Sequence, residues 1–430
     1  MNFKTRLWKY IFVIVCFLVL RLLVFYKALS VFFFQDDFIL INHFSQNNLQ
    51  QDIKNVFIYP SVSHWRPIHN LYFLISGNLF GRFYPGYHAL AFMIHIASAF
   101  MIFKVLRLLT KNANASLLGT LIYAVHPSHF VSIFWISGSA TTIGFLFFIS
   151  SFYLYLKNQK KWAIVIFALS LLASEAMVVG AIIFISYEFL IKGKMKDKRF
   201  LLKVITISLG FLLLRFLFLT SDTTFKTYPF EISKVTVDAL FYYTLRTLGF
   251  AETSKDTFTS IILIFWIAAI AFTTLKIFKS ENKKFVWFFA LSAFIGLFPF
   301  VLIPSHLSPH YLNISIWSLA SVVSFGLLNI NKLARLFLIL IFAFVAIINI
   351  QLTYKNNWVI ERSEIAKLYV EKIESENPPT GTLLIFDDSS ISTSSEAYIA
   401  LGTGKALDFW FPEKKYSYCF TWIGNCKPVQ

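Results

Sequence analysis

The fold class is decided by the stretch TFTSIILIFWIAAIAFTTLKI at residues 257–277, in which Lys276 is the only charged residue. A helix of about 20 residues is long enough to cross the ~30 Å hydrocarbon layer of a bilayer. Backbone amides find no water in that layer, so a segment that crosses it has to be helical. Residues 257–277 are therefore predicted to form a membrane-spanning helix.

Similar apolar runs recur on both sides of this stretch. We place spanning helices at residues 10–29, 86–106, 115–134, 137–156, 162–175, 176–191, 203–220, 257–277, 285–303, 310–328 and 334–352. Hydrophobic residues make up 57% of the chain and charged residues only 14%, whereas soluble domains have about 25% charged residues. The sequence thus predicts an all-α polytopic membrane protein with about eleven transmembrane helices.

The orientation in the membrane is predicted from the basic residues. We interpret the first apolar segment as a retained helix and place the N-terminus in the cytoplasm. Six short cytoplasmic segments then contain more than half of the 39 Lys and Arg residues, and cytoplasmic loops are enriched in these residues. This topology explains the net charge of +17, so no nucleic-acid partner is predicted. The expected location is a bacterial inner membrane, with membrane lipids as neighbours and a periplasmic C-terminus.

The long apolar run at 162–191 tests this topology. It is too long for one upright span, and a single tilted span would place the basic segment 192–203 outside, against the charge rule. Two short helices that turn at Ser174 and Glu175 remove the conflict. Glu175 is then expected at the outward membrane surface.

The chain is predicted to divide after the last span. Residues 1–352 form the transmembrane catalytic domain, and residues 353–430 form a small mixed periplasmic region. Within that region, TLLIFDD at 382–388 is typical of a strand. Cys419 and Cys426 are close in sequence, and a disulfide between them would suit an oxidising compartment.

The first outward loop, residues 30–85, contains the sequence FFFQDDF with an acidic pair, Asp36 and Asp37. Two adjacent carboxylates among phenylalanines are costly unless they meet a cation or take up a proton. One interpretation is a catalytic base. The other is a helix N-cap, for which Asp is a favoured residue.

Histidines gather at the outward side of the predicted bundle. In HPSH, Pro127 interrupts the third span and places His126 and His129 near the surface. Two imidazoles alone do not make a metal site, so we interpret them as phosphate or hydroxyl contacts, with helix capping as the alternative. The segment IPSHLSPHYLNIS adds a second basic and aromatic cluster, namely His306, His310 and Tyr311.

Two arginines are candidates for binding an anion. Arg66, in the motif WRP, offers a planar fork suited to phosphate, and its alternative role is a contact with lipid headgroups. Arg215 lies inside the seventh predicted span, where a charge is a functional candidate by default unless it snorkels to the interface.

Taken in order, these segments resemble the GT-C membrane glycosyltransferases, most closely the protein O-mannosyltransferases and their TPR-bearing relatives. The resemblance depends on the acidic pair, WRP at 65–67, YHALAFMIHIASA at 87–99, ASLLGTLIYAVHPSHFVSIFWISGSA at 115–140, LLASE at 171–175 and HYLNISIWSL at 310–319. It departs from the family pattern at Ser174-Glu175, where Lys-Glu is usual, and at His310-Tyr311, where Arg-Tyr is frequent.

The resemblance implies a sugar donor linked to a polyprenyl or dolichyl phosphate, and transfer of that sugar with inversion on the periplasmic face. An acidic residue of the first loop, Asp36 or Asp37, would deprotonate the acceptor hydroxyl. Cationic groups would stabilise the phosphate as it leaves. The residues expected to bind the donor are Arg66, His126, His129, Glu175, Arg215, His306, His310 and Tyr311.

The sequence leaves alternatives for the acceptor, for a metal ion and for the class of function. The acceptor is a glycan, a lipid or a protein, no cofactor is firmly implied, and a divalent metal stays undecided. A glycan polymerase or ligase that uses lipid-linked oligosaccharide is the second hypothesis. A transporter of lipid-linked sugar is the third hypothesis.

Overall fold

The computed structural model describes residues 3–45, 48–58, 64–218, 229–252, 256–278, 282–387, 394–421 and 426. The helices are α1 (Phe3–Phe25), α2 (Asp36–Ser45), α3 (Leu49–Ile58), α4 (Pro67–Phe80), α5 (Tyr84–Thr110), α6 (Ala113–Val125), α7 (Phe130–Phe134), α8 (Ala140–Leu156), α9 (Lys160–Ala173), α10 (Gly180–Leu190), α11 (Lys198–Phe218), α12 (Lys234–Leu248), α13 (Thr257–Ile277), α14 (Lys283–Val301), α15 (Asn313–Gly326), α16 (Lys332–Lys355), α17 (Trp358–Glu376), α18 (Ser394–Ala400) and α19 (Lys405–Trp410). Short 3-10 turns between them include Ser137–Ser139, Glu175–Val179 and Pro309–Tyr311.

Seven stretches among the described residues are long and apolar enough to cross a membrane. They are Val13–Ser30, Tyr84–Thr110, Ser137–Leu156, Lys198–Leu217, Thr257–Leu275, Lys283–Val301 and Lys332–Lys355. Ala113–Val125 and Pro127–Phe134 make an eighth if they count as one span bent by 47°. The prediction of an all-α polytopic membrane protein is confirmed in this coarser form.

The predicted count of about eleven spans is not confirmed. The segments predicted at 162–175, 176–191 and 310–328 are helical, but α9, α10 and α15 have only 14, 11 and 14 residues. At 1.5 Å per residue, such helices are shorter than the ~30 Å hydrocarbon layer. Hydropathy detects an apolar segment, and it does not show whether that segment spans the membrane or ends inside the bundle.

The helical hairpin of α9 and α10 turns where it was predicted to turn. Ser174 adopts an extended conformation that ends α9, and the 3-10 turn begins at Glu175. The first residue of α10, Gly180, packs so closely on α8 that an added Cβ would lie 2.7 Å from the Phe148 ring. This close packing fixes the turn against the bundle and holds Glu175 in place.

The C-terminal region is a small mixed unit. Strand β1 (Leu383–Phe386) pairs in parallel with β2 (Ser417–Phe420). The strand predicted at 382–388 is therefore confirmed over residues 383–386, while 382 and 387 lie outside the strand and 388 lies outside the described residues. Cys419 forms a disulfide with Cys426. The unit packs on α2, where the Asn42 side chain donates a hydrogen bond to the backbone carbonyl of Lys405 (2.8 Å).

Candidate active site

Two adjoining cavities lie at the end of the bundle where α2, α4 and the 3-10 turns meet. The larger, which we call the apolar chamber, has a volume of about 400 Å³ and is lined by His64, Arg66, Thr141, Ser174, Glu175, Ala176, Val178, Leu212, Arg215, Phe216, Phe230, Pro299, Phe300, Ile303, His306 and Tyr311. The smaller, the polar chamber, has about 60 Å³ and is lined by Asp36, Leu40, His64, Arg66, His69, Trp135, Ser137, Gly138, Ala140, Thr141, His306, His310 and Tyr311. The chambers share five residues, so they form one continuous site.

A charged cluster stands where the two chambers meet. Arg66 donates two hydrogen bonds to Glu175, from Nε to Oε2 (2.6 Å) and from Nη2 to Oε1 (2.7 Å). Nδ1 of His64 is 3.0 Å from the same carboxylate, and Nη2 of Arg215 is 3.4 Å from it. Burial and the neighbouring Arg66 lower the pKa of His64 to about 4, so this imidazole is neutral at pH 7. Two guanidinium groups and one carboxylate leave a surplus of one positive charge.

The three charged members of this cluster are positioned by the ends of helices or turns. Arg66 precedes Pro67, the first residue of α4, and a proline disfavours the helical conformation in the residue before it. Glu175 starts the turn of the hairpin, and Arg215 stands in the last turn of α11. Three chain segments far apart in sequence therefore deliver the charges to one point.

Asp36 is the first residue of α2, and its side chain lines the polar chamber. Within the described part of the chain, no group forms a hydrogen bond with its carboxylate. Burial raises the pKa of Asp36 to about 6, and the positive charges of Arg66 and Arg362 oppose that rise. A carboxylate with such a pKa is able to accept a proton near neutral pH.

Asp37 has a different environment. Its Oδ1 accepts hydrogen bonds from the backbone N–H (2.8 Å) and the hydroxyl (2.5 Å) of Ser137, and its Oδ2 accepts one from the N–H of Phe34 (3.3 Å). The residue is fully buried and is absent from the lining of both chambers. Asp37 therefore ties the start of α2 to the turn at Ser137–Ser139.

His306, His310 and Tyr311 line the polar chamber on the side of the 3-10 turn Pro309–Tyr311. Nδ1 of His310 is 2.6 Å from the Ser308 hydroxyl, and the His310 ring lies 3.9 Å from the ring of Tyr311. Burial lowers the pKa of His310 well below its usual value, and it lowers the pKa of His306 as well. Both imidazoles therefore favour the neutral form, which can donate and accept hydrogen bonds.

The structure does not place His126 and His129 at the chambers, contrary to the expectation of a phosphate contact. Nε2 of His126 is 3.0 Å from the carbonyl of Thr247, and the ring of His129 packs 4.3 Å from His95. The bend at Pro127 turns HPSH into the helix bundle instead of toward the outward surface. Both side chains are buried there.

Seven of the ten predicted site residues line the chambers, while Asp37, His126 and His129 do not. Sequence reasoning did not select His64, His69 and Thr141 as site residues. His64 and His69 flank Arg66 in HWRPIH, so their proximity was a usable signal, whereas nothing in the local sequence marks Thr141. Among the described residues, no group of three or more His, Cys, Asp or Glu side chains is arranged to hold a metal ion.

The sequence of this chain matches no family model, and it matches no curated protein.

Proposed function

We propose that this protein is a bacterial inner-membrane glycosyltransferase, and that it transfers a sugar from a polyprenyl-phosphate donor to an acceptor hydroxyl with inversion. The main support is one observation. The carboxylate of Asp36 faces a small polar chamber, and this chamber shares lining residues with an apolar chamber that contains a surplus positive charge. The proposal is supported by this adjacency of a proton acceptor, a polar space and a cationic cluster.

The apolar chamber suits the lipid part of the donor. Leu212 and Phe216 of α11 line it and also have 40% and 62% of their surface exposed. In a span, such exposed side chains face lipid, so an isoprenoid chain reaches the chamber from the bilayer. Its phosphate then meets Arg66 and Arg215, which offer charged hydrogen-bond donors.

The reaction follows from the positions of these groups. Asp36 takes the proton of the acceptor hydroxyl, and the oxygen forms a bond to the anomeric carbon of the sugar. The bond from that carbon to the phosphate oxygen breaks, and its electron pair leaves with the lipid phosphate. Arg66 and Arg215 stabilise the charge of the leaving phosphate. Asp36 lines only the polar chamber and Arg215 only the apolar one, which is consistent with attack from the side opposite the leaving group.

The periplasmic placement of the site is supported by the charges of the loops. Segment 192–203 contains six Lys and Arg residues and leads into the candidate span Lys198–Leu217, whose last turn carries Arg215 at the apolar chamber. Basic loops favour the cytoplasmic side, which leaves Arg215 and the chambers on the other. The acceptor is proposed only as a hydroxyl-bearing glycan, lipid or protein.

The test compares Asp36→Asn with Asp37→Asn in membranes supplied with a polyprenyl-phosphate sugar. Asp36→Asn removes the base, so we expect transfer to fall by about 10²-fold or more while the donor still binds. In Asp37→Asn, the amide oxygen still accepts the bonds from Ser137, so this variant is a matched control that keeps most of its activity. Undiminished transfer by Asp36→Asn would refute the proposal.

A further inference from the structure

The residue before the proposed base, Gln35, has an unusual backbone conformation. Its φ angle is +52°, in the left-handed region that few residues other than glycine adopt. Its N–H donates a hydrogen bond to the carbonyl of Ala400 (2.8 Å), and its side-chain Oε1 accepts one from Nη1 of Arg362 (2.9 Å). Both partners belong to the C-terminal region, which therefore holds the chain at the start of α2.

Arg362 is itself firmly oriented. Its Nε and Nη2 donate hydrogen bonds to the two carboxylate oxygens of Glu396 (2.7 and 3.2 Å), which leaves Nη1 directed at Gln35. Its guanidinium also lies over the ring of Trp358, 5.0 Å from the ring centre. Trp358 in turn packs edge-on against Trp135, a lining residue of the polar chamber (5.5 Å between ring centres).

The backbone of the C-terminal region also approaches Gln35 closely. Gly402 has a φ angle of +57°, and an added Cβ would lie 2.5 Å from the carbonyl oxygen of Gln35. In addition, the N–H of Phe32 donates a hydrogen bond to the hydroxyl of Ser363 on α17 (2.9 Å). The C-terminal region therefore holds both ends of the segment 32–35, which leads into Asp36.

We propose that Arg362 is a positioning residue for Asp36, so that the C-terminal region is part of the catalytic unit. Arg362 fixes Gln35 through one hydrogen bond and places a positive charge near the carboxylate that accepts the proton. The inference rests on the proposed function, because it assigns Asp36 the role of base. If Arg362 served only the ion pair with Glu396, its replacement would leave the titration of Asp36 unchanged.

The charged and titratable groups around Asp36 come from several elements. They are Arg66, Arg362, Asp37, His64, His69, His306 and His310. Arg66 and Arg362 both lower the pKa of Asp36. Removing the charge of Arg362 is therefore expected to raise this pKa, with the neighbouring Arg66 left in place.

The experiment uses the full chain in membranes and three variants, Arg362→Gln, Arg362→Lys and Lys367→Gln. Lys367 lies on the same helix, pairs with Glu371 at 3.6 Å and is 45% exposed, so Lys367→Gln is a control for loss of a positive charge. The first measurement is sugar transfer as a function of pH and donor concentration. We expect Arg362→Gln to lose about tenfold in kcat with little change in the KM for the donor. The loss of activity at low pH (the acid limb of the pH profile) is expected to move to higher pH in this variant. Arg362→Lys restores the position of the acid limb but only part of kcat.

The second measurement does not depend on transfer. A hydrophobic carbodiimide modifies protonated carboxyl groups, and mass spectrometry gives the extent of modification at Asp36 at each pH. The midpoint is expected to move to higher pH in Arg362→Gln and to return in Arg362→Lys. An unchanged midpoint in Arg362→Gln overturns the positioning role. If the midpoint shifts in Arg362→Gln but the wild-type protein transfers no sugar, the effect of Arg362 on Asp36 is supported and the proposed function is refuted.

Discussion

The pH dependence of transfer provides a quantitative test of Asp36 as the base. An unperturbed Asp has a pKa of 3.8, whereas burial raises that of Asp36 to about 6. A base acts in its ionised form, so activity is fully present above this pKa and is lost as the pH falls through it. At pH 5, roughly a tenth of Asp36 is ionised, whereas an unperturbed Asp would be more than nine-tenths ionised. We therefore expect kcat/KM to fall about tenfold between pH 7 and pH 5.

The assay is initial-rate transfer in membranes from pH 7.5 to pH 4.5 (about half-unit steps), since a phosphodiester donor keeps its charge over this range. The titration of the neighbouring groups can be distinguished from that of Asp36. Burial lowers the pKa of His64 to about 4 and that of His69 to about 3, so both stay neutral at pH 5. Burial raises the pKa of Asp37 to about 7, so Asp37→Asn is measured alongside. Rates that stay level from pH 7 to pH 5, or an acid limb that disappears in Asp37→Asn, would refute Asp36 as the base.

Three further predictions concern the residues around the base. Arg66→Lys loses the planar fork that holds Glu175, so the KM for the donor is expected to rise about tenfold in steady-state assays; an unchanged KM contradicts a phosphate role. Glu175→Gln leaves two partly buried guanidinium groups without their carboxylate, which is expected to lower the stability by about 3 kcal/mol in thermal unfolding, whereas the exposed control Glu371→Gln changes it by less than about 1 kcal/mol. Asp37→Ala removes the acceptor of three buried hydrogen bonds and is expected to cost about 3 kcal/mol, and a loss no greater than that of Glu371→Gln would show that the tie to Ser137 is dispensable.

The transmembrane helices could be predicted from the sequence because each requires only a local property, a long apolar run. The same property fails for α9, α10 and α15, since a short apolar helix inside a bundle and a spanning helix have similar compositions. The turn at Ser174 and Glu175 was predicted because the length of the run and the basic segment after it excluded one upright span. Local sequence therefore determined where helices occur better than how far each extends.

The site could be predicted only in part, because it is assembled from distant segments. The chemistry of Arg66 suggested an anion site, but its direct pairing with Glu175 was not expected, since the two residues are 109 positions apart. The prediction that His126 and His129 of HPSH lie at the site was wrong for a related reason. Pro127 marks a bend in the chain, yet the direction of the bend depends on packing, and it turns both histidines into the bundle.

The contact between the C-terminal region and the segment before Asp36 could not be predicted from local sequence. Arg362 and Gln35 are 327 residues apart, and Arg362 lies on a helix whose sequence resembles an ordinary exposed charged helix. Adjacent carboxylates also look equivalent in a sequence, although the fold gives Asp37 three hydrogen-bond donors and leaves Asp36 facing a chamber. Because Asp37 is fully buried and lines neither chamber, an acceptor hydroxyl cannot reach its carboxylate, whereas the neighbouring Asp36 lines the polar chamber. The N-cap interpretation does not hold for Asp37, because its hydrogen-bond donors are Ser137 and Phe34, which lie outside α2. One carboxylate ties the start of the helix to a neighbouring turn, and the other faces the chamber, where the proposal assigns it the role of base.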